Sequence, residues 1–286
     1  MTATEMAAAQ RVDALEVEDL VAGYGGGDVL KGVSAGMPKG AITCVIGPNG
    51  AGKSTLLAAI VGLLRPSSGR VLLDGRDVTG VSPRDALAAG IVIVPQARSV
   101  FPDMTVLENL ELGAYTIRDR RVRAERLAKV GEQFPTVMAR AKVKAGRLSG
   151  GQQRLVEFAR SLMLEPDVVL LDEPSMGLDP SALQAVLDSI SAMHAHGRTV
   201  VLVEQNAKAA LEISDWAILL ESGRVRLTGT GREILEHADI GTVYLGGGRR
   251  EPRLTEEPRL TEEHVLAEEH VLAEEPGNEE HGATEP

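Results

Sequence analysis

Cysteine and aromatic residues are scarce in this 286-residue chain, and long apolar runs are missing. A single cysteine, Cys44, cannot form an internal disulfide or a zinc site. We therefore expect the Cys44 side chain to be a small buried apolar group and the protein to work in a reducing compartment. With one Trp, three Tyr, three Phe and a net charge of −11, the chain is a poor candidate for stacking on bases or binding a polyanion, so no nucleic acid partner is expected. No apolar segment reaches the roughly eighteen residues of a membrane span, and the first residues lack a signal-peptide pattern.

Acidic residues concentrate at the C-terminal end. Residues 249–286 hold twelve Glu against four Arg, and the hexapeptides PRLTEE and HVLAEE each occur twice. A six-residue period does not build one apolar helical stripe, and so few apolar side chains cannot offset the entropy of ordering. The sequence therefore predicts a disordered acidic tail at 249–286, a mobile leader at 1–11 and a folded domain at 12–248. A partner-binding role for the tail stays open.

A glycine-rich loop directly follows the apolar run 41–46. It matches the pattern of a phosphate loop between a strand and a helix. Its backbone N–H groups would cradle the phosphates of ATP or GTP, Lys53 would add positive charge, and Ser54 would reach a Mg²⁺ ion. The apolar stretch 53–64 predicts the following helix. The nucleotide-binding candidates are Gly47, Pro48, Asn49, Gly50, Ala51, Gly52, Lys53, Ser54 and Thr55.

Polar residues follow two further apolar strands. The predicted strand 168–171 leads into Asp172 and Glu173, and the predicted strand 91–94 leads into Gln96. In a phosphate-loop protein, an acid at the end of a buried strand is where Mg²⁺ is held, so Asp172 is a metal candidate. Glu173 would polarise an attacking water as general base, and Gln96 is placed to contact the metal or a water.

A second helix start with free N–H donors follows Leu148. The run Ser149, Gly150, Gly151 and Gln152 is either another phosphate-binding device or an ordinary turn in which Ser149 caps the helix. Tyr24 lies upstream of the phosphate loop. Packing and stacking on adenine are both open for its ring.

The remaining pattern predicts an α/β fold. An all-helical insertion is expected from about 105 to 146, interrupted at Pro135. The histidines His194 and His196 are interpreted as solvated rather than metal-binding. Further strands are predicted at 15–21, 70–74 and 199–203, an amphipathic helix at 181–194, and hairpins at Asp74-Gly75 and Ser222-Gly223.

Together, the phosphate loop, Gln96, the Leu-Ser-Gly-Gly-Gln run and Asp172-Glu173 resemble the ATP-binding cassette (ABC) family of transporter ATPases. The resemblance covers residues 12–248. It implies a phosphate-loop NTPase core with a mixed sheet and flanking helices, an antiparallel β region and an all-helical subdomain at about 97–165. Within the family, the chain is similar to the second ATPase subunit of branched-chain amino acid importers. This similarity rests on the strings VEQNA at 203–207, FPDMTVLENL at 101–110, Phe-Pro at 134–135 and VYLGG at 243–247.

The resemblance also implies a mechanism. Two cassettes would sandwich two ATP molecules, each held by the phosphate loop of one subunit and the Ser149–Gln152 motif of the other. Asp179 would link the two subunits. The implied roles are adenine stacking for Tyr24, phosphate contact for Lys53, Mg²⁺ binding for Ser54 and Asp172, sensing of metal and water for Gln96, and activation of water for Glu173.

The implied partners are membrane permease subunits, a second ATPase subunit that is a different or an identical chain, and indirectly a substrate-binding protein. A short permease helix would dock on the helical insertion and the loop after Gln96. The expected location is the cytoplasmic face of the cell membrane.

One departure from the family pattern concerns Gln205, where most cassettes carry a histidine that contacts the γ-phosphate. An amide can donate a hydrogen bond but cannot become cationic, so we expect a slower but working catalytic site. The alternatives left open are an importer of urea or short amides, an exporter of lipid or lipopolysaccharide, a soluble cassette ATPase acting on nucleic acid or ribosomes, and an adaptor that binds ATP without turnover.

Overall fold

The structure, a computed structural model, describes residues 12–205 and 207–237. The predicted leader at 1–11, Asn206, the string at 243–247 and the predicted tail at 249–286 lie outside these residues, and the predicted domain end at 248 stays a prediction. Within them the strands are β1 Asp13–Gly23, β2 Asp28–Pro38, β3 Ile42–Ile46, β4 Ser68–Leu73, β5 Arg76–Asp77, β6 Ile91–Val94, β7 Val168–Asp172, β8 Thr199–Val203, β9 Trp216–Glu221 and β10 Arg224–Gly229.

The helices alternate with these strands along the chain. They are α1 Lys53–Ile60, α2 Pro83–Ala88, α3 Val106–Gly113, α4 Arg120–Gln133, α5 Pro135–Met138, α6 Gly150–Leu162, α7 Pro180–Ala195, α8 Ala207–Glu212 and α9 Gly231–Glu236, with a 3₁₀ turn at Ala145–Arg147. No helix in this described part of the chain is long and apolar enough to cross a lipid bilayer.

A six-stranded mixed sheet in the order β10-β9-β3-β8-β7-β6 forms the centre of the fold. All its neighbouring strands pair in parallel except β10, which pairs antiparallel with β9 at one edge. Strands β3, β7 and β8 are buried at every residue because both faces of the sheet are covered, which explains their mostly apolar sequences. Parallel strands end at the same edge, so the loops after β3, β6, β7 and β8 meet there.

The central sheet separates two cores. Successive residues of a strand point to opposite faces, so Cys44 packs among the helices with Phe158, while Val45 packs on the other side with Leu20 and Leu30 of the antiparallel sheet. Cys44 is a free, fully buried thiol, as the sequence predicted. Burial is the largest cause that raises the pKa of this thiol far above its usual value, followed by the charge of Glu204.

A second, antiparallel sheet in the order β2-β1-β4-β5 confirms the expected antiparallel region. Its β4–β5 hairpin turns at Asp74 and Gly75, with φ angles of 45° and 73°, as the Asp-Gly signal predicted. Strand β2 was not predicted. Its sequence has two glycines and no strict alternation, and it becomes a strand by pairing along β1, from Asp13 opposite Pro38 to Gly23 opposite Asp28.

The predicted helical insertion is confirmed by α3, α4 and α5, with no strand between them in residues 105–146. Pro135 ends the run as predicted, because it begins the new helix α5 at a position where its missing N–H costs nothing. The prediction of one helix over 53–64 was too long, since α1 ends at Ile60. Gly62 adopts φ 72°, and a Cβ at this position would lie 1.9 Å from the carbonyl oxygen of Val81, so the chain turns there.

Candidate functional site

A cleft of about 540 Å³ opens at the carboxyl edge of the central sheet. The loops after β3, β6, β7 and β8 all contribute to its walls, so residues far apart in sequence face one space. The lining residues are Val29, Asn49, Gly50, Gly52, Lys53, Ser54, Thr55, Gln96, Glu173, Met176 and Gln205.

The phosphate loop forms one wall of this cleft. Gly52 precedes α1 with φ 104°, a left-handed angle that favours glycine, and it supplies no capping side chain to the first N–H groups of the helix. The buried Lys53 ammonium donates to the carbonyl oxygens of Gly47 at 2.8 Å and Pro48 at 3.1 Å. A Cβ at Gly47 would lie 2.1 Å from the carbonyl oxygen of Leu220, so only glycine fits where β9 passes the loop. The result is a set of free donors and one cation facing the cleft, which suits a polyphosphate.

Ser54 and Asp172 meet at the base of the cleft. The Ser54 hydroxyl donates to Asp172 Oδ1 at 2.9 Å. Burial is the largest cause that raises the pKa of Asp172, and the Ser54 hydrogen bond partly offsets it. A hydroxyl and a carboxylate are the oxygen ligands that Mg²⁺ prefers, and a dication here would stabilise the buried anion, so the residues fit this metal. No three His, Cys, Asp or Glu side chains of the described residues gather to hold a metal by themselves.

Glu173 contacts Gln96, whereas Asp172 contacts Ser54. The Gln96 amide donates to Glu173 Oε2 at 2.8 Å and to the sulfur of Met176 at 3.1 Å. The Glu173 backbone adopts φ 44°, and its N–H donates to the carbonyl oxygen of Val203 at 2.9 Å. The carboxylate of Glu173 therefore faces the cleft from a fixed backbone position.

Ser149, Gly151 and Gln152 line a separate depression of about 400 Å³ together with Asp179. Ser149 and Gln152 form a reciprocal capping box at the start of α6, and Asp179 caps α7 by accepting from Ser181 and Ala182. Among the described residues, the linings of this depression and of the cleft share no member. The structure therefore brings the second motif and Asp179 together, but it does not bring them to the phosphate loop of the same chain.

Tyr24 and Gln205 are both exposed. Tyr24 is 59% exposed in the loop between β1 and β2 and is not part of the cleft lining, whereas Gln205 lines the cleft directly after β8. The structure thus places Gln205 with the other site residues and leaves Tyr24 outside the cleft lining.

Two buried arrangements next to the cleft were missed by the sequence reasoning. Arg154 on α6 donates to the carbonyl oxygens of Pro95 and Gln96, both at 2.9 Å, and pairs with Glu157 at 2.8 Å. Glu204, which is 3% exposed, accepts from Ser175. The first could have been found as an i, i+3 charge pair on a helix, and the second as an acid at the end of an apolar strand, the rule that identified Asp172.

Comparison with known proteins agrees with this geometry. Residues 30–176, which include the phosphate loop, the second motif and the Asp172-Glu173 pair, match the ABC transporter family. The chain belongs to this family. This cassette is 41% identical to the LivF protein of Archaeoglobus fulgidus, named for branched-chain amino acid transport, over 81% of the chain and 98% of that relative. It is 39% identical to the high-affinity branched-chain amino acid transport ATP-binding protein BraG of Pseudomonas aeruginosa, over 78% of the chain and 96% of that protein.

A solved ATP-binding cassette of an ABC transporter, in its ADP conformation, superimposes on 82% of the chain and 99% of its own length. The TM-score is 0.75 and the identity is 30%. The cassette described here is accordingly an ATP-binding ATPase of the transporter family, and the resemblance read from its sequence is confirmed.

Proposed function

We propose that this cassette is the ATP-hydrolysing subunit of an importer for branched-chain or similar amino acids, at the cytoplasmic face of the membrane. The proposed substrate class rests on one observation. The chain is about 40% identical to two relatives named for branched-chain amino acid transport, along nearly their full length.

In the proposed mechanism, the N-terminal end of α1 and Lys53 bind the phosphates, while Ser54 and Asp172 hold Mg²⁺. The metal, when bound, neutralises charge on the transferring phosphoryl group. Gln96 orients the Glu173 carboxylate through the 2.8 Å hydrogen bond. Glu173 takes the proton of the attacking water as general base. Gln205, which also lines the cleft, donates a hydrogen bond to the phosphate.

A second cassette completes each nucleotide site. The Ser149–Gln152 motif and its exposed helix N-terminus lie outside the cleft of their own chain, so this anion-binding device needs the ATP held by another subunit. Asp179 lies in the same depression and would contact the partner across the interface. ATP joins the two halves, and its hydrolysis releases them. The second cassette is either a different chain or a second copy.

The permease would dock in a mostly apolar groove of about 430 Å³ beside the loop after Gln96. Phe101 and Tyr115, both exposed, line this groove together with Arg160, whose guanidinium lies 5.6 Å from the centre of the Phe101 ring. Arg160 also donates to the carbonyl oxygen of Ser99 at 2.8 Å. A permease helix in this groove would therefore contact the same loop that carries Gln96 and couple the cleft to the membrane partner.

Copurification tests the proposal. The Glu173→Gln variant, tagged and extracted gently from membranes in ATP and Mg²⁺, should retain ATP without turnover and keep its partners bound. Two multi-helix permease chains and a cassette subunit in the eluate, with ATP-dependent leucine uptake after reconstitution of the wild-type complex, would support the importer. The matched control is Glu125→Gln, an exposed glutamate on α4. Recovery of ribosomes, DNA or no stable partner would overturn the transporter assignment, and transport of urea or lipid instead of leucine would overturn the substrate class.

A further inference from the structure

Glu204 holds the chain just beyond Glu173. Both oxygens of its buried carboxylate accept from one residue, Ser175: the Ser175 N–H donates to Oε1 at 2.9 Å and the Ser175 hydroxyl donates to Oε2 at 2.7 Å. Each oxygen therefore has its own donor on Ser175. Burial raises the pKa of Glu204, whereas the two hydrogen bonds from Ser175 lower it. Two hydrogen bonds between the same two residues fix both the backbone and the side chain of Ser175, so the contact is a clamp rather than a chance approach.

The backbone of Glu173 needs such support. Its φ of 44° is uncommon for a residue with a side chain, and such conformations persist only where the surroundings hold them. At Glu173 itself, the backbone N–H donates to the carbonyl oxygen of Val203 at 2.9 Å. Two residues further along the chain, Ser175 is hydrogen-bonded to the carboxylate of Glu204. Two successive residues at the end of β8 therefore fix the backbone on both sides of the Glu173 side chain.

The same clamp adjoins two other parts of the site. Glu204 directly precedes Gln205, which lines the cleft. Ser175 begins the short loop that ends at Asp179, in the depression with the second motif. The clamp therefore adjoins the cleft through Gln205 and the depression with the second motif through the loop to Asp179.

We propose that Glu204 is a positioning residue for ATP hydrolysis, which clamps Ser175 and so fixes the Glu173 carboxylate and the loop to Asp179. This inference rests on the proposed role of Glu173 as general base. Since Glu204 does not line the cleft, its loss should slow the chemical step and leave ATP affinity unchanged.

Steady-state ATP hydrolysis is measured on the copurified transporter complex, in which a second cassette completes each nucleotide site. Fluorescent-nucleotide binding is measured on the full-length chain, and the two assays together separate these effects. Glu204→Ala should lower kcat by roughly tenfold or more with the ATP Kd changed by less than about twofold. Ser175→Ala, which keeps the backbone donor, should lower kcat by roughly threefold, while Ser175→Thr, which keeps the hydroxyl, should stay within about twofold of the wild type. The double variant Glu204→Ala/Ser175→Ala should be no slower than Glu204→Ala, because the two changes remove one interaction.

Thr199→Val is the matched control for lost stability. Thr199 is buried at the opposite end of the same strand, where its hydroxyl accepts from the Gly40 N–H at 2.9 Å. This variant should have a lower melting temperature without losing kcat.

If Glu204→Ala keeps the wild-type kcat, or if its kcat and ATP affinity fall together, the proposed clamp is wrong. If Glu204→Ala does not fold, Ser175→Ala and Ser175→Thr are judged by the same two quantities, kcat and ATP affinity. Glu173→Gln is run in parallel: normal turnover in that variant would overturn the proposed base and the clamp together, whereas normal turnover in the Glu204 and Ser175 variants alone would overturn only the clamp.

Discussion

Removing Glu157 should destabilise the cassette far more than removing an exposed glutamate on a neighbouring helix. Glu157 is 1% exposed and pairs with Arg154, which is 5% exposed, and its second oxygen accepts from the Ser99 N–H. In Glu157→Ala the guanidinium stays buried without its counterion and the Ser99 N–H loses its acceptor. Breaking a buried pair from one side costs about 3–5 kcal/mol. The bonds from Arg154 to the carbonyl oxygens of Pro95 and Gln96 remain, which favours the lower half of this range.

The matched control is Glu125→Ala. Glu125 pairs with Arg121 on α4, but the two side chains are 57% and 88% exposed, so the loss should be below about 1 kcal/mol. Urea unfolding followed by circular dichroism measures both variants. The expected result is a lower midpoint for Glu157→Ala at an unchanged slope. A double variant, Arg154→Met/Glu157→Leu, should recover part of the loss because no buried charge remains unpaired. Equal free energies of unfolding for Glu157→Ala and Glu125→Ala would refute this account of the pair.

Three further outcomes are expected. Gln205→His should raise ATP turnover, most at low pH where the imidazole is cationic. If turnover is unchanged at every pH, Gln205 does not slow catalysis. Gly151→Val should destabilise the chain by about 1–3 kcal/mol, because a Cβ at Gly151 would lie 2.5 Å from the Cβ of Ala182. Adding Ala182→Gly should restore part of that loss in urea unfolding, and a double variant no more stable than the single would contradict the contact. Cys44 should resist alkylation by iodoacetamide in the native state and react on unfolding, because the thiol is fully buried and its pKa is raised. Mass spectrometry measures the labelling, and rapid labelling of the native protein would disprove this expectation.

Predictions from sequence succeeded where structure depends on local or strongly periodic signals. The apolar runs 41–46 and 168–171 predicted strands that match β3 and β7 to within one residue, because strands buried on both faces are mostly apolar. The Asp74-Gly75 turn and the interruption at Pro135 follow from backbone preferences of those residues.

The missed elements depend on partners that are distant in sequence. Strand β2 exists because β1 pairs with it, and its own residues lack the alternation that marks a strand. Helices α2, α8 and α9 are six residues each, too short for a helical period to show. The end of α1 at Ile60 had a local signal instead, since Gly62 adopts φ 72° just beyond it.

By itself, the sequence determined the family of this protein and, through it, the chemistry to expect. The phosphate loop, the Ser149–Gln152 motif and the Asp172-Glu173 pair are short strings whose residue types are typical of anion binding and acid–base work. Only the tertiary structure decided which groups act together. The parallel sheet brings Ser54 to Asp172 across 118 residues and Gln96 to Glu173 across 77, because its strands all end at one edge. It also separates the second motif from the phosphate loop of its own chain and places Glu204 against Ser175, relations that no local pattern encodes because they arise from the packing of distant segments.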